Sequence, residues 1–392
     1  MNGSRFVHTF LMARVAPVAT PPVRQRVVFI DLARVTAILL MVQGHTIEAL
    51  LAVEYRATAA FHVWSFARGV TSCLFFFLAG FAFVLATYTG AGKRRASATR
   101  LQRVRRLTLF LLVGYALHLP TPSVSGLTTL TGQQWNAFLA VDALQCLAVM
   151  LGVLQVLALA TRTSKGLLLL TLPLAVTVVL MTPAMWRVDW TIVLPSPIAA
   201  YLTSGRGSLF PLFPWGAYIL SGAAIGAVYV STTHPARIAT RVLGATGLAL
   251  LLGSVVGAAA PWEPFGSTAY WSTSPNQFLL RAGLVCCSVA VLAYASRGLS
   301  RLPGALDALA RHSLVVYAVH LCVIYGSAWN HGLRHWYGNA LSPVRAVVVV
   351  IVMWGVMIGL AYCWHSRIRH LRPAHAITHA RAMWRDRAAV LE

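Results

Sequence analysis

Apolar runs long enough to cross a bilayer recur along nearly the whole chain, and they leave little room for anything except a bundle of membrane helices. A spanning helix needs ~20 apolar residues, because it rises ~1.5 Å per residue through a hydrocarbon core ~30 Å thick. The runs cover residues 26–51, 64–88, 107–120, 138–160, 166–185, 209–231, 242–260, 277–296, 311–329 and 344–364. With no water in lipid to bond exposed backbone groups, such runs fold as helices. The fold class expected is therefore all-α and polytopic, with about ten transmembrane helices in one bundle. Composition agrees, since 58% of the residues are hydrophobic and only 10% charged, against ~25% charged in soluble domains.

Basic residues exceed acidic ones by 32 to 9. In a soluble protein this excess would point to nucleic acid. Here the cations bunch between apolar runs, where they set orientation and meet anionic headgroups, so lipid rather than nucleic acid is the expected partner. Alternate loops carry Lys93 to Arg106, Arg162 and Lys165, Arg237 and Arg241, and Arg297 and Arg301, followed by the tail from Arg367. The positive-inside rule then puts both termini in the cytoplasm of a multi-pass protein of the cell membrane. Residues 1–25 form a cytoplasmic segment without a convincing signal-peptide cleavage site, 26–366 the membrane domain, and 367–392 a basic tail suited to lie as an amphipathic helix on the inner leaflet. Six cysteines sit in apolar runs without ligand spacing, and the spaced histidines of the tail, His365, His370, His375 and His379, lack acidic or thiol partners. No metal site is expected.

The first run, RVVFIDLARVTAILLMVQGHTIEALL, carries Asp31, Arg34, His45 and Glu48. Eleven residues from Arg34 to His45 make about three helical turns, so the two share a face and stand ~16 Å apart along the axis. Ionisable groups at membrane depth cost a few kcal/mol each unless they face a bundle interior or a wet cavity, which makes the stripe a candidate site. Asp31 and Arg34, three residues apart, also have the spacing of an intrahelical ion pair. Glu48 follows His45 by one turn and is close enough to orient the imidazole or raise its basicity.

Other polar groups interrupt later spans. Arg103 and Arg106 lie on one helix face with Arg100, as a cationic mouth or as a plain topology signal. Asp142 and Gln145 open the fourth span and Arg281 enters the eighth, where carboxylate and guanidinium either pair with each other or line an acceptor site. Ser313, Tyr317 and His320 share a face of the ninth span, a pattern that also serves as interhelical glue. Arginines at a mouth suit the phosphates of a coenzyme A thioester, and a buried histidine suits a general base or a transient acyl carrier.

These phrases resemble two related groups. Arg34 with ten residues before His45 is similar to the opening signature of acyltransferase family 3, as are Phe75 to Phe81 followed by Arg103-x-x-Arg106, and Ser313-x3-Tyr317-x2-His320. The chain resembles still more closely the bacterial relatives of heparan-α-glucosaminide N-acetyltransferase, through Asp142-Ala-Leu-Gln145, Phe210 to Trp215 and Ser274 to Arg281. Ala33 and Val35 flank Arg34 where these families usually show Leu and Gly. The resemblance spans Arg26 to about Leu321. It implies transfer of an acyl group, acetyl first of all, from cytoplasmic acyl-CoA to an extracytoplasmic sugar or glycan. His45 would be catalytic, with Glu48 beside it. Arg34, Arg103 and Arg106 would serve the donor, and Asp31, Asp142, Gln145, Arg281, Tyr317 and His320 the acceptor side or the architecture.

A transporter or flippase for an anionic solute or lipid-linked sugar is the alternative, with His45, Asp142 and Arg281 as proton relay and anion site. It would be favoured by an inverted repeat and by paired broken helices, and neither is legible in the sequence.

Overall fold

The computed structural model describes residues 27–89, 92–94, 100–259 and 267–388, except for the side chains of Arg100 and of residues 369–388. The amino-terminal segment 1–25 and the side chains of His370, His375 and His379 lie outside the described residues. Eleven helices carry the architecture. They are α1 (Val28–Leu50), α2 (Ala59–Thr87), α3 (Arg100–Leu117), α4 (Ala143–Ala160), α5 (Ser164–Arg187) and α6 (Leu212–Ser231). They continue as α7 (Pro235–Ala259), α8 (Pro275–Ala295), α9 (Gly304–Arg311), α10 (Ser313–Tyr325) and α11 (Pro343–Ala388). Apart from short helical turns in the loops, a two-residue hairpin of β1 (Gly326–Ser327) and β2 (Asn330–His331) completes the described residues.

The protein is an all-α polytopic membrane protein. Among the described residues eight helices are long and apolar enough to span a bilayer, and α9 with α10, bent by 82°, brings the number to nine if the pair crosses as one broken span. The tenth expected span is α3, whose helix begins well before the apolar run, at Arg100, so that Arg103 and Arg106 ride on its first two turns rather than in a loop. The expected span 311–329 is likewise not one straight helix. His312 breaks it, and the imidazole of His312 meets His365 of α11, Nε2 to Nδ1, at 3.2 Å. The basic tail continues α11 as a helix to Ala388.

Side-chain caps mark where the spans begin. Thr58 accepts from the Phe61 amide at the head of α2, Asp142 from Ala143 at α4, Thr163 from Gly166 at α5, and Ser274 from Asn276 at α8. Each satisfies an amide that the first turn leaves without an intrahelical partner.

Helix α1 is the centre of the packing because it is apolar on two sides. Phe29, Ile30, Ala33 and Ala37 join one core with α2, α4, α6 and α8, while Val35, Ile38, Val42, Ala49 and Leu50 join a second with α9, α10 and α11. Trp354 of α11 ties into the second core by donating its indole N–H to the Leu39 carbonyl at 2.8 Å. The polar stripe of α1 is what remains between the two cores. The first core is held by a close crossing of α2 and α6, where Gly80 lies on the Ile219 carbonyl and Gly222 on that of Phe77, so close that a Cβ on either would overlap the facing oxygen. With lipid as apolar as the side chains, such backbone approach supplies much of the drive for helix association.

Candidate active site

At the end of the bundle where α1 begins, a cavity of about 1030 Å³ opens between α1, α2, α3, α4, α6 and α10. Arg34, Arg103, Arg106 and Arg311 line it, with Asp31 as the carboxylate in its wall. Arg34 donates to Asp31 at 3.0 Å, the i, i+3 pair that the spacing allowed. Arg103 meets Gln155 Oε1 at 2.7 Å, the Ala86 carbonyl at 3.2 Å and the Phe83 ring at 5.2 Å. Arg106 lies over Phe110 at 5.3 Å, and among the described residues no carboxylate pairs with it. The first turn of α10, Ser313 and Leu314, lines the same space and adds the positive end of a helix dipole. Arg311 is bound to Asp307 at 2.7 Å, as Arg34 is to Asp31, and the positive charge that remains favours an anion.

Tyr317 of α10 lines the cavity too. From there a row of rings leads onward: Tyr317 to His320 with centroids 5.7 Å apart, His320 to His45 at 5.3 Å, and His45 to Tyr325 at 5.7 Å. His45 is therefore not in the cavity wall, and His320 stands between. The three late residues come from α10, where Tyr317 and His320 are one turn apart and Tyr325 closes the helix. Gly326 then turns the chain at φ 91°, a left-handed conformation that a side chain would strain. Asn330 Nδ2 donates to the Cys322 carbonyl at 2.9 Å and ties the hairpin to this end.

Tyr325 is the partner of His45, its hydroxyl 3.2 Å from Nδ1. Glu48 stands one turn on, as expected, but it does not orient the imidazole. Its carboxylate accepts from Arg56 at 3.3 Å and from Arg68 at 3.1 Å, because two guanidinium groups outcompete a neutral ring for one carboxylate.

Asp142 and Arg281 do not meet either. Asp142 accepts from Tyr317 at 3.4 Å, lies 3.6 Å from His118 Nε2 and caps α4 through Ala143 at 2.7 Å. Gln145 Nε2 is 3.5 Å from the other nitrogen of His118. Arg281 packs against Gly69, so close that a Cβ there would stand 2.9 Å from its Nη2, beside Arg68. The structure thus gathers Arg34, Asp31, Arg103, Arg106 and Tyr317 around one cavity and His45, His320 and Tyr325 beyond its end. It leaves Arg281 against Gly69, outside the residues that line the cavity.

Tyr325, Arg68, His118 and Arg311 were not singled out in the sequence. Arg68, a charge inside an apolar run, carried a readable signal. Tyr325 carried none, being off the Ser313, Tyr317, His320 spacing.

The family model described as heparan-α-glucosaminide N-acetyltransferase, catalytic, matches residues 26–257. The chain belongs to this family. It is accordingly a membrane-embedded acyltransferase. No curated protein matches the chain. The matched stretch holds Arg34, Arg103 and Arg106 of the cavity and His45, but it ends before Arg281, Arg311, Tyr317, His320 and Tyr325.

Proposed function

We propose that this acyltransferase moves an acetyl group from cytoplasmic acetyl-CoA to an extracytoplasmic carbohydrate, with His45 as general base or transient acyl carrier. The observation that carries the reading is the cavity: about 1030 Å³ lined by four arginines and by Tyr317, whose ring meets His320, the neighbour of His45. Anionic nucleotide and diphosphate groups fit the arginines, and the thin pantetheine arm fits the apolar wall of Leu78, Ala82, Leu144 and Leu147. The reacting thioester then belongs at the Tyr317 end, where buried rings exclude water that would hydrolyse it.

In the base form of the mechanism, His45 takes the proton of the acceptor hydroxyl or amine as its oxygen or nitrogen attacks the thioester carbonyl carbon. The C–S bond breaks, the CoA sulfur leaves with the electron pair, and a proton returned to it gives the free thiol. In the carrier form, a His45 nitrogen attacks the thioester carbonyl carbon, the C–S bond breaks and CoA leaves as the thiol with the imidazole proton, and the acceptor then takes the acyl group as the C–N bond breaks and its own proton returns to the imidazole.

The decisive experiment measures transfer from labelled acetyl-CoA by purified protein, with glucosamine as probe acceptor, in the parent and in His45→Ala. CoA release that survives loss of His45 sinks the reading. The transport alternative needs Asp142, Arg281 and His45 to act together, and it draws no support from Asp142 bonded to Tyr317 and Arg281 packed on Gly69.

Two further outcomes follow from the donor assignment. Arg106→Ala is expected to raise the KM for acetyl-CoA about 10-fold with kcat within about threefold, since a phosphate contact made equally in ground and transition states affects binding alone. A fall in kcat at unchanged KM would remove Arg106 from the donor site. In a background without Cys363, a Cys at position 93 should react with an impermeant maleimide only from the cytoplasm and one at position 267 only from outside. The reverse pattern would put the arginine mouth on the wrong side for cytoplasmic acetyl-CoA.

A further inference from the structure

His320 lies between the cavity and His45, and its surroundings fix which nitrogen bears its hydrogen. The residue is fully buried, at 0% exposure. Its Nδ1 is 2.9 Å from the Val316 carbonyl oxygen, one turn back on α10. A carbonyl only accepts, so Nδ1 carries the hydrogen and Nε2 of the neutral ring is a bare lone pair. That Nε2 has no hydrogen-bond partner among the described residues. Buried polar atoms are nearly always paired, so the exception asks for a reason.

The same reasoning applies to His45. Tyr325 has one hydroxyl hydrogen and two acceptors in reach, Nδ1 of His45 at 3.2 Å and the His45 carbonyl at 3.5 Å. If the hydroxyl hydrogen goes to the carbonyl, its oxygen accepts from Nδ1–H and every group is satisfied, leaving Nε2 of His45 as the basic atom. Two neighbouring rings, 5.3 Å apart, then each offer an Nε2 lone pair and no hydrogen. Two lone pairs do not bond to each other. One added proton lets them when the two Nε2 atoms face each other, which centroids 5.3 Å apart allow.

We propose that His320 is the proton-relay partner of His45, carrying the proton that His45 removes from the acceptor toward the end of the cavity where the CoA sulfur leaves. The proposal rests on the reading of His45 as base. The acceptor O–H or N–H bond breaks as the bond to the acyl carbon forms, and the proton passes from His45 Nε2 to His320 Nε2. The C–S bond breaks with its electron pair on sulfur, and the proton returned to that sulfur yields the thiol, so the relay ends neutral. Position supports this direction. His320 touches Tyr317 on the cavity side and His45 on the other. The nearest charged groups are off this line, Arg68 paired with Glu48 on the His45 side and Asp142 behind Tyr317.

The test uses the full chain in lipid nanodiscs with acetyl-CoA and glucosamine. His320→Ala is expected to lower kcat about 100-fold with the KM for acetyl-CoA within twofold, and free imidazole, able to occupy the vacated space, should restore at least 10-fold. His320→Phe, which fills that space, should be equally slow and not recover. Activity of His320→Ala within twofold of the parent overturns the relay, as does a loss that imidazole leaves untouched in protein melting at the parental temperature. If His45→Ala is inactive while His320→Ala is fully active, only the relay falls. If His45→Ala is itself active, the reading of His45 falls with it. Spectra of 15N-histidine-labelled protein give a second check without any acceptor: His320 should be seen as the Nδ1–H tautomer, and an Nε2–H signal overturns the proposal.

Discussion

His45→Ala is expected to lower acetyl transfer by at least ~10³-fold, the upper part of the range for a lost acid-base or nucleophilic group. Donor binding should persist, because Arg34 stands about three helical turns away and Arg103 and Arg106 belong to α3 and not to the His45 environment. The protein should also stay folded, since His45 is only partly buried and makes one side-chain hydrogen bond, to Tyr325. Labelled acetyl-CoA without acceptor separates the two forms of the mechanism. A carrier gives a burst of CoA near one equivalent per protein, absent in His45→Ala, whereas a base gives none in either protein. More than about a tenth of parental transfer in His45→Ala would remove the imidazole from the chemistry, given the magnitude expected of such a group.

What was legible beforehand is local in sequence. Apolar runs gave the spans, and the three-turn separation of Arg34 and His45 gave a stripe that the structure leaves between two cores. The break at His312 was not legible, because Leu309, Ala310, Leu314 and Val315 on either side are as apolar as any span and no Gly or Pro marks the bend. The start of α3 is hidden in the sequence for the opposite reason. Hydropathy rejects four arginines, yet Arg103 and Arg106 line the cavity. Partners were the hardest to read. Glu48 is one turn from His45 and Tyr325 is 280 residues away, yet the imidazole bonds Tyr325. Competition from Arg56 and Arg68 decides this, and it depends on how α1, α2 and the short helical turn between them fold together. The crossing of α2 and α6 belongs to the same class. Phe75 to Phe81 stands out in the sequence, while the need for Gly80 in it is visible only against Ile219.

That crossing carries the second large effect. Gly80→Ala and Gly222→Ala are each expected to cost at least ~3 kcal/mol and to yield little detergent-stable protein, because the added Cβ meets backbone and not a side chain that could rotate away. At Gly80 it would stand 2.8 Å from the Ile219 carbonyl carbon and 2.9 Å from the Ala223 nitrogen, and at Gly222 2.7 Å from the Phe77 carbonyl carbon. Relief requires α2 and α6 to separate along their length, which opens the core formed by Phe76, Phe77 and Phe81 with Ile219 and Ala223. The same movement displaces Leu78, Ala82 and Ala86, and with Ala86 one of the acceptors that fix Arg103 at the cavity mouth. Any folded remainder should therefore also bind acetyl-CoA more weakly. Gly355 of α11 is the control: nothing lies within 4 Å of a Cβ built there, so Gly355→Ala should hold or raise the melting temperature, alanine being favoured over glycine in a helix by up to ~1 kcal/mol. Thermal unfolding monitored in detergent by size-exclusion chromatography reads all three variants. If Gly80→Ala and Gly222→Ala melt with Gly355→Ala, α2 and α6 are not in backbone contact, and the wall they give the cavity must be drawn differently.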